Sequence, residues 1–361
     1  MLAKQFAIPF LENTSLQNQK VVLDLEGYRI ALLSNSTELL ERLSAYFSFV
    51  VAEGDADIEI TCIESEPAQT GLAFTDWPRE TGKTGRKDAY HELEDGRVIY
   101  KIRTGMIFLQ SESHRLAIGP CVANDNQVVN FINSQYMNYL QQKGALICHA
   151  AAVEIDNAVM AFAGFSGGGK STLMLHMLSR DGVSFLTNDR LFLSREQDLI
   201  RATGIPKLPR VNPGTLLNDS KLCNILSKDS IERLLKMPQE DLWHLEEKYD
   251  VDIDNVYGVG KISNSNRIRV FVILRWHFKN EQPCQIKRIN ISEHEELVAA
   301  VMKSPGPFYQ DADGHFLQQN DPADTQPYVQ YLNDMEVFEI SGKVDFQHAA
   351  DFLMGVMQNH A

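Results

Sequence analysis

Nine consecutive residues, Gly164-Phe165-Ser166-Gly167-Gly168-Gly169-Lys170-Ser171-Thr172, have the types and spacing that phosphate chemistry asks for. They fit G-x-x-x-x-G-K-[ST], a loop whose backbone N–H groups wrap the phosphates of a nucleotide. Glycines let the backbone take unusual dihedrals and approach phosphate oxygens closely. A helix starting at the end of such a loop aims its N–H groups and positive dipole end at the anion. Lys170 brings a mobile point charge to the outer phosphates, and Ser171 offers a hydroxyl to Mg²⁺.

The flanks satisfy the context that this motif requires. Ala158-Val-Met-Ala-Phe-Ala163 is a short apolar run that reads as a buried strand. Residues 171–180 read as a helix with Leu173, Leu175, Met177 and Leu178 to bury, and Asp181-Gly182 supplies a glycine stop. Triphosphate binding is the firm expectation. Phosphoryl transfer further needs a metal and a carboxylate to fix it. Asp189 follows Lys170 by about one helix and one strand, which returns the chain to the C-terminal edge of a strand beside the loop strand. Asp189 is therefore the candidate Mg²⁺ carboxylate, with Ser171 as the second metal ligand. Lys207 and Arg210, in the Pro-stiffened stretch Gly204-Ile-Pro-Lys-Leu-Pro-Arg-Val-Asn-Pro-Gly214, are candidates to neutralise a phosphoryl group in flight.

The elements around these residues divide the chain. The length of 361 residues suggests two domains. Val21-Val-Leu-Asp-Leu25 and Tyr28-Arg-Ile-Ala-Leu-Leu33 form an expected hairpin about Glu26-Gly27. Asn35, three residues before Glu38, has the spacing of a capping box for a helix burying Leu39, Leu40, Leu43 and Phe47. Ile58–Ile63 alternates as a strand, residues 64–90 read as a long loop, and Thr104-Gly105 joins a second hairpin. A helix over 126–143 ends at Gly144, and Leu146–Val153 is a strand candidate. Beyond the loop helix come two strands within 183–193, a largely helical 215–250, a strong strand at Arg267–Arg275, a helix near 292–302, a strand at Val337–Ile340 and a closing helix from about 345. The expected organisation is a smaller α+β N-terminal domain, residues 1–135, followed by an α/β nucleotide-binding domain, residues 136–361.

Composition narrows the function classes. Lys and Arg total 34 against 48 Asp and Glu, so 34 − 48 gives a net charge of −14. An acidic chain is poorly suited to nonspecific binding of nucleic acid or anionic membrane. Five well-separated cysteines without a C-x-x-C pair argue against a zinc site or disulfide framework and for reduced thiols. No apolar run approaches a membrane span, and a cytoplasmic location is expected.

The strand carrying His149, the strand before the glycine loop, the G-x-S-G-x-G-K-S sequence, its helix and the strand ending at Asn188-Asp189 together resemble HPr kinase/phosphorylase, a serine protein kinase with a P-loop of the phosphoenolpyruvate-carboxykinase kind. The wider chain is similar to the HprK-related kinase B group through Cys148-His-Ala-Ala-Ala-Val153, Ala163–Thr172, Asn188-Asp-Arg190, Gly204–Gly214 and Leu242-Trp-His-Leu-Glu-Glu-Lys-Tyr-Asp-Val251. The resemblance implies ATP as the nucleotide, bound by Gly164–Thr172, with Mg²⁺ held by Ser171 and Asp189. It implies a place for His149 beside the acidic pair, a serine of a partner protein as acceptor, and a homo-oligomer. Two positions depart from the kinase pattern. Asn188 stands where the kinase has the acid that takes the serine proton, and an amide cannot accept it. Thr172 stands where the kinase has a Glu. Proton removal then falls to Asp189 or His149, or matters little in a loose transition state.

Other signals are weaker. Glu246, Glu247 and Lys248 read as a charged helix face. Asp250, Asp252 and Asp254 would share one face of an extended segment, but Asn255 and Lys261 occupy the positions where a calcium loop needs Gly and Glu. Gly258-Val-Gly-Lys-Ile-Ser263 lacks phosphate-loop spacing. Trp243, Tyr249 and Tyr257 read as core or interface anchors rather than a base-stacking platform. Three functions stay open on sequence: a protein serine kinase, a nucleotide-responsive module without transfer, and a small-molecule kinase.

Overall fold

The computed structural model describes residues 1–78, 85–165, 167–238, 241, 242, 245, 247–319 and 324–358. The chain forms a mixed α/β structure that divides into two compact units. One is Met1–Lys143 with Pro305–Pro322; the other is Gly144–Ser304 with Ala323–Ala361. The break expected between 135 and 136 thus falls after Lys143, where the helix over the expected 126–143 ends. Residues 305–322, expected in the second domain, belong to the first.

The first unit carries β1 (Val21–Leu25), β2 (Tyr28–Ser34), β3 (Val51–Ala52), β4 (Ile58–Glu64), β5 (Thr75–Asp76), β6 (Asp88–Glu92), β7 (Gly96–Lys101), β8 (Ile107–Ser111) and β9 (Arg115–Gly119). They form one sheet in the order β3-β1-β2-β4-β9-β8-β7-β6-β5. The first hairpin turns through Glu26 and Gly27 at φ 55° and 88°. The helices are α1 (Ala3–Glu12), α2 (Thr37–Tyr46) and α3 (Asp125–Gln142). Ser36, not Asn35, caps α2, its hydroxyl accepting from the Leu39 N–H at 3.2 Å. The expected loop over 64–90 holds β5 and the start of β6.

Segment 305–322 is tied into this unit by buried polar contacts. Arg97 is fully buried; it forks onto Glu92 and donates to the carbonyls of Pro307 and Leu317, each at 3.1 Å. Phe308 packs on Phe108 and Phe131. These partners lie about 200 positions apart, so no local pattern announces them.

The second unit carries β10 (Leu146–Cys148), β11 (Ala150–Ile155), β12 (Ala158–Gly164), β13 (Val183–Thr187), β14 (Leu191–Glu196), β15 (Leu199–Thr203), β16 (Arg210–Val211), β17 (Tyr249–Asp250), β18 (Ser265–Leu274), β19 (Gln285–Ile289) and β20 (Glu336–Ser341). The main sheet runs β10-β14-β15-β18-β12-β11-β13, with β20 parallel to β18 and β19 antiparallel to β20. Its helices are α4 (Lys170–Leu178), α5 (Pro213–Leu217), α6 (Lys228–Leu235), α7 (Ile253–Tyr257), α8 (Gln326–Asn333) and α9 (Phe346–Gln358). β12 is apolar throughout, and all seven of its residues are buried, as a strand covered on both faces must be. Leu173, Met174, Leu175, Met177 and Leu178 of α4 join Met160, Phe162, Val270, Val272 and Leu353 in one core.

Three expectations are corrected here. The strand over 146–153 is two strands, because the chain changes neighbours at His149: β10 pairs with β14, and β11 with β12 and β13. The helix near 292–302 is two 3₁₀ turns, Ile291–Glu293 and Glu295–Ala300, separated by His294 in a non-helical conformation. Within the largely helical 215–250, the described residues form only short pieces and then β17. Trp243 and Glu246 lie outside the described residues.

Gly204 shows how tightly the chain crosses itself. A Cβ there would stand 2.2 Å from the Leu186 carbonyl oxygen, while the Gly204 N–H donates to Asn264 O at 2.9 Å. Because the obstacle is backbone, Gly204→Ala is expected to lower unfolding stability by about 1–3 kcal/mol. Urea denaturation checks this; an unchanged midpoint would contradict the close approach.

Candidate functional site

The glycine loop joins β12 to α4. Gly167 and Gly169 take φ 78° and 79°, a region closed in practice to most side chains. Gly168 N–H donates to Phe165 O at 2.9 Å, closing a turn, and Phe165 is half exposed. Gly169 is the residue before α4, so the N-terminus of that helix lies at the end of the loop. A Cβ on Gly169 would meet the Phe346 ring at 3.2 Å. Lys170 Nζ donates to Gly164 O at 2.7 Å, so the lysine folds over its own loop. Ser166 lies outside the described residues.

Two contacts brace this loop from elements that its own sequence does not reveal. Trp276, two residues past β18, donates its indole N–H to Gly168 O at 2.8 Å and meets Phe346 edge-on at 5.1 Å. Thr172 Oγ1 lies 2.9 Å from Thr215 Oγ1 on α5, which brings the end of the Pro-rich stretch to the helix that starts the loop's far side. Thr172 therefore has a hydroxyl partner, whereas a Glu would extend a charge there.

Strand direction brings the second group of residues to the same edge. β11 is antiparallel to both β12 and β13, so β12 and β13 run the same way and end on the same side. Ala150 faces Ala163, and Ala152 faces Thr187. His149, just before β11, and Asn188-Asp189, just after β13, thus share an edge with Gly164. The strand ending near Asp189 is not directly beside the loop strand, as the sequence implies, but one strand further. At a strand spacing near 4.8 Å the two ends lie roughly 10 Å apart laterally.

Asp189 is the centre of a charged cluster. Its carboxylate oxygens lie 3.3 Å from His149 Nε2, 3.5 Å from Lys303 Nζ and 3.8 Å from Arg190 Nε. Desolvation raises its pKa, but the His149 hydrogen bond and the charges of Lys303 and Arg190 outweigh it and hold the carboxyl well below the usual range. A carboxylate held ionised and a serine hydroxyl are the hard oxygen donors that suit Mg²⁺. Thr187 Oγ1 donates to Arg190 O at 2.8 Å and fixes the turn. Asn188 Oδ1 is buried without a hydrogen-bond partner among the described residues.

Lys207 and Arg210 stand at the other end of this cluster. Arg210 Nε lies 3.0 Å from Asp250 Oδ1 across the short β16–β17 pair, and Val251 N–H donates to Pro209 O. Burial pushes the Lys207 pKa down to about 8, with Arg190 and Arg210 adding to the fall and Asp189 and Asp250 opposing it. The three aspartates 250, 252 and 254 do not share a face: Asp250 pairs with Arg210, and Asp252 caps α7 by accepting from Asn255 N–H at 3.1 Å.

Sequence reasoning missed Trp276 and Lys303. Trp276 had a signal, as one of three tryptophans and the one that follows the strongest strand. Lys303 had none. It is placed by tertiary structure: His149 N–H donates to Val301 O at 2.7 Å, Cys148 and Met302 form an isolated bridge, and Tyr328 donates its hydroxyl to Ile147 O at 2.8 Å.

No protein-family model and no curated protein matches the chain. Among solved structures, it is similar to the Hpr(Ser) kinase/phosphatase from Coxiella burnetii, at 12% sequence identity and a TM-score of 0.29, over 59% of this chain and 95% of that one. No helix among the described residues is long and apolar enough to cross a membrane.

The depressed Lys207 pKa carries a stability consequence. Between about 8 and the ordinary 10.5 the unfolded chain holds a proton at this lysine that the folded chain has released, so its contribution to stability rises with pH across that window. Below about 8 the buried ammonium costs stability. Lys207→Met, which keeps the apolar stem, is expected to melt higher than wild type at pH 7, with the gap closing toward pH 10.5. Melting curves across pH check this, and a variant less stable than wild type at pH 7 would contradict it.

Proposed function

We propose that this chain is an ATP-dependent phosphotransferase that moves the γ-phosphoryl group to a hydroxyl. The observation that carries the proposal is the meeting, at one sheet edge, of a strand–glycine loop–helix with left-handed Gly167 and Gly169 and an ionised Asp189 ringed by cations. The motif resemblance adds ATP as the nucleotide and a serine of a partner protein as the acceptor.

In this proposal the N–H groups of Gly167–Thr172 and the N-terminus of α4 bind the phosphates, and Lys170 leaves Gly164 O for the outer phosphates. Ser171 and Asp189 would hold Mg²⁺, which when bound neutralises charge on the β- and γ-phosphates. Lys303, Arg190, Lys207 and Arg210 supply fixed positive charge where the equatorial oxygens of the moving group lie. The acceptor oxygen bonds to the γ-phosphorus as the bond to the β–γ bridging oxygen breaks. ADP leaves with that electron pair. Asp189, held strongly acidic, is a poor base, so the acceptor proton passes to His149.

Asn188 favours a second reading, a nucleotide-responsive module without transfer, because an amide replaces the expected acid. One experiment separates the two. Purified protein is given γ-labelled ATP, Mg²⁺ and a lysate of its host, with Lys170→Ala in parallel. Label is expected on an acceptor with wild type and at about 100-fold lower rate with the variant. Tight ATP binding with no labelled acceptor of any mass would overturn the transferase reading in favour of the module.

A further inference from the structure

Resting on that phosphotransferase reading, we propose that the nucleotide's base lies on the opposite side of the glycine loop from Asp189, stacked in a recess lined by Trp276, His277, Phe278 and Phe346. Strand order gives the direction. At the edge where the loop emerges, the strands stand in the order β20-β18-β12-β11-β13, with β18 and β20 both parallel to β12. Gly164 is level with Leu274, and Leu274 with Ile340. Three segments therefore leave the sheet side by side: the loop after Gly164, the stretch through Phe278 after β18, and the stretch to Phe346 after β20. Asp189 follows β13, two strands from β12 the other way. With Ser171 and Asp189 holding the metal of the outer phosphates, the γ end of the triphosphate turns toward β13. Its nucleoside then leaves the loop toward β18 and β20, whose ends lie within roughly 10 Å of β12.

An aromatic recess stands in that direction. The loop glycines 167–169 form one wall, and Trp276, His277, Phe278 and Phe346 bring four aromatic rings to the rest. The wall and the rings are one block. Trp276 is buried and donates to Gly168 O at 2.8 Å, and the Phe346 ring stands 3.2 Å from where a Cβ on Gly169 would be. His277 and Phe278 are exposed, with their rings stacked at 4.6 Å and 29°. Lys279 Nζ stands 5.4 Å from the Phe278 ring centre. A nucleotide base carries a π face of its own, so it extends a stack of this kind. The polar atoms of the lining offer less. The Trp276 N–H is taken by Gly168 O, and His277 Nδ1 accepts from the Lys279 N–H at 3.2 Å. The recess therefore suits a base held by its face more than one read by hydrogen bonds along its edge.

The test compares a ligand that has a base with one that has phosphates alone. Wild type, Phe278→Leu and Phe278→Tyr, each checked for an intact melt, are titrated by calorimetry with Mg·ATP and with Mg·tripolyphosphate. Wild type is expected to bind ATP more tightly than tripolyphosphate. Phe278→Leu, which keeps apolar bulk but loses the ring, is expected to weaken ATP about tenfold and to leave tripolyphosphate within about twofold. Phe278→Tyr, which keeps the ring, is expected to bind ATP as wild type does. ATP affinity unmoved by Phe278→Leu, an equal loss for tripolyphosphate, or a Tyr variant as weak as the Leu variant would overturn the proposal. Tripolyphosphate bound by wild type as tightly as ATP would remove the base site alone and leave the loop's hold on phosphate standing. If neither ligand binds, the phosphotransferase reading falls, and this inference with it.

Discussion

β11 runs against both of its neighbours, and those two reversals leave β12 and β13 pointing the same way. Everything at the candidate site depends on that. The loop that follows β12 and the turn that follows β13 must emerge on one side, and the residue before β11 must lie there too. His149, Gly164 and Asp189 are far apart in the chain but share an edge because of strand direction alone. The break at His149, where the chain leaves β14 for β12 and β13, is what lets β11 take that middle position. β18, parallel to β12 on its other side, delivers Trp276 to the same edge, where it holds the glycine loop by Gly168 O.

Local chemistry was legible where it repeats at short range. The loop needs its glycines in order, a strand of buried apolar residues before it and an apolar helix face after it. All three are written within about one supersecondary unit, and the chain folds them as such. The hairpins at Glu26-Gly27 and Thr104-Gly105 were readable for the same reason: turn residues sit between alternating strands. Long-range placement was not legible. Arg97 reads as an ordinary strand residue until residues 307 and 317 arrive to accept from it. Lys303 follows an apolar stretch, and long-range contacts, the bridge from Cys148 to Met302 and the His149 N–H on Val301 O, bring it to Asp189. The expected helix near 292–302 gives way for a local reason: His294 interrupts it, so its apolar residues are buried from two 3₁₀ turns instead.

The cluster around Asp189 sets stability against chemistry. A chain of net charge −14 concentrates cations in one recess, where burial and mutual repulsion lower the Lys207 pKa. Ion pairs to Asp189 and Asp250 offset part of the cost. The amide at Asn188 fits the same picture. It adds no negative charge to the recess.

The proposed binding of a triphosphate by the loop is tested most directly by titrating Mg·ATP into the wild-type protein in a calorimeter, with Lys170→Ala and an Mg²⁺-free titration alongside. Saturable binding at one site per chain is expected, weakened by the substitution and by removal of the metal. A well-folded wild type that takes up no heat with any nucleoside triphosphate would contradict the assignment of Gly164–Thr172 to phosphate, and with it the role proposed for Asp189.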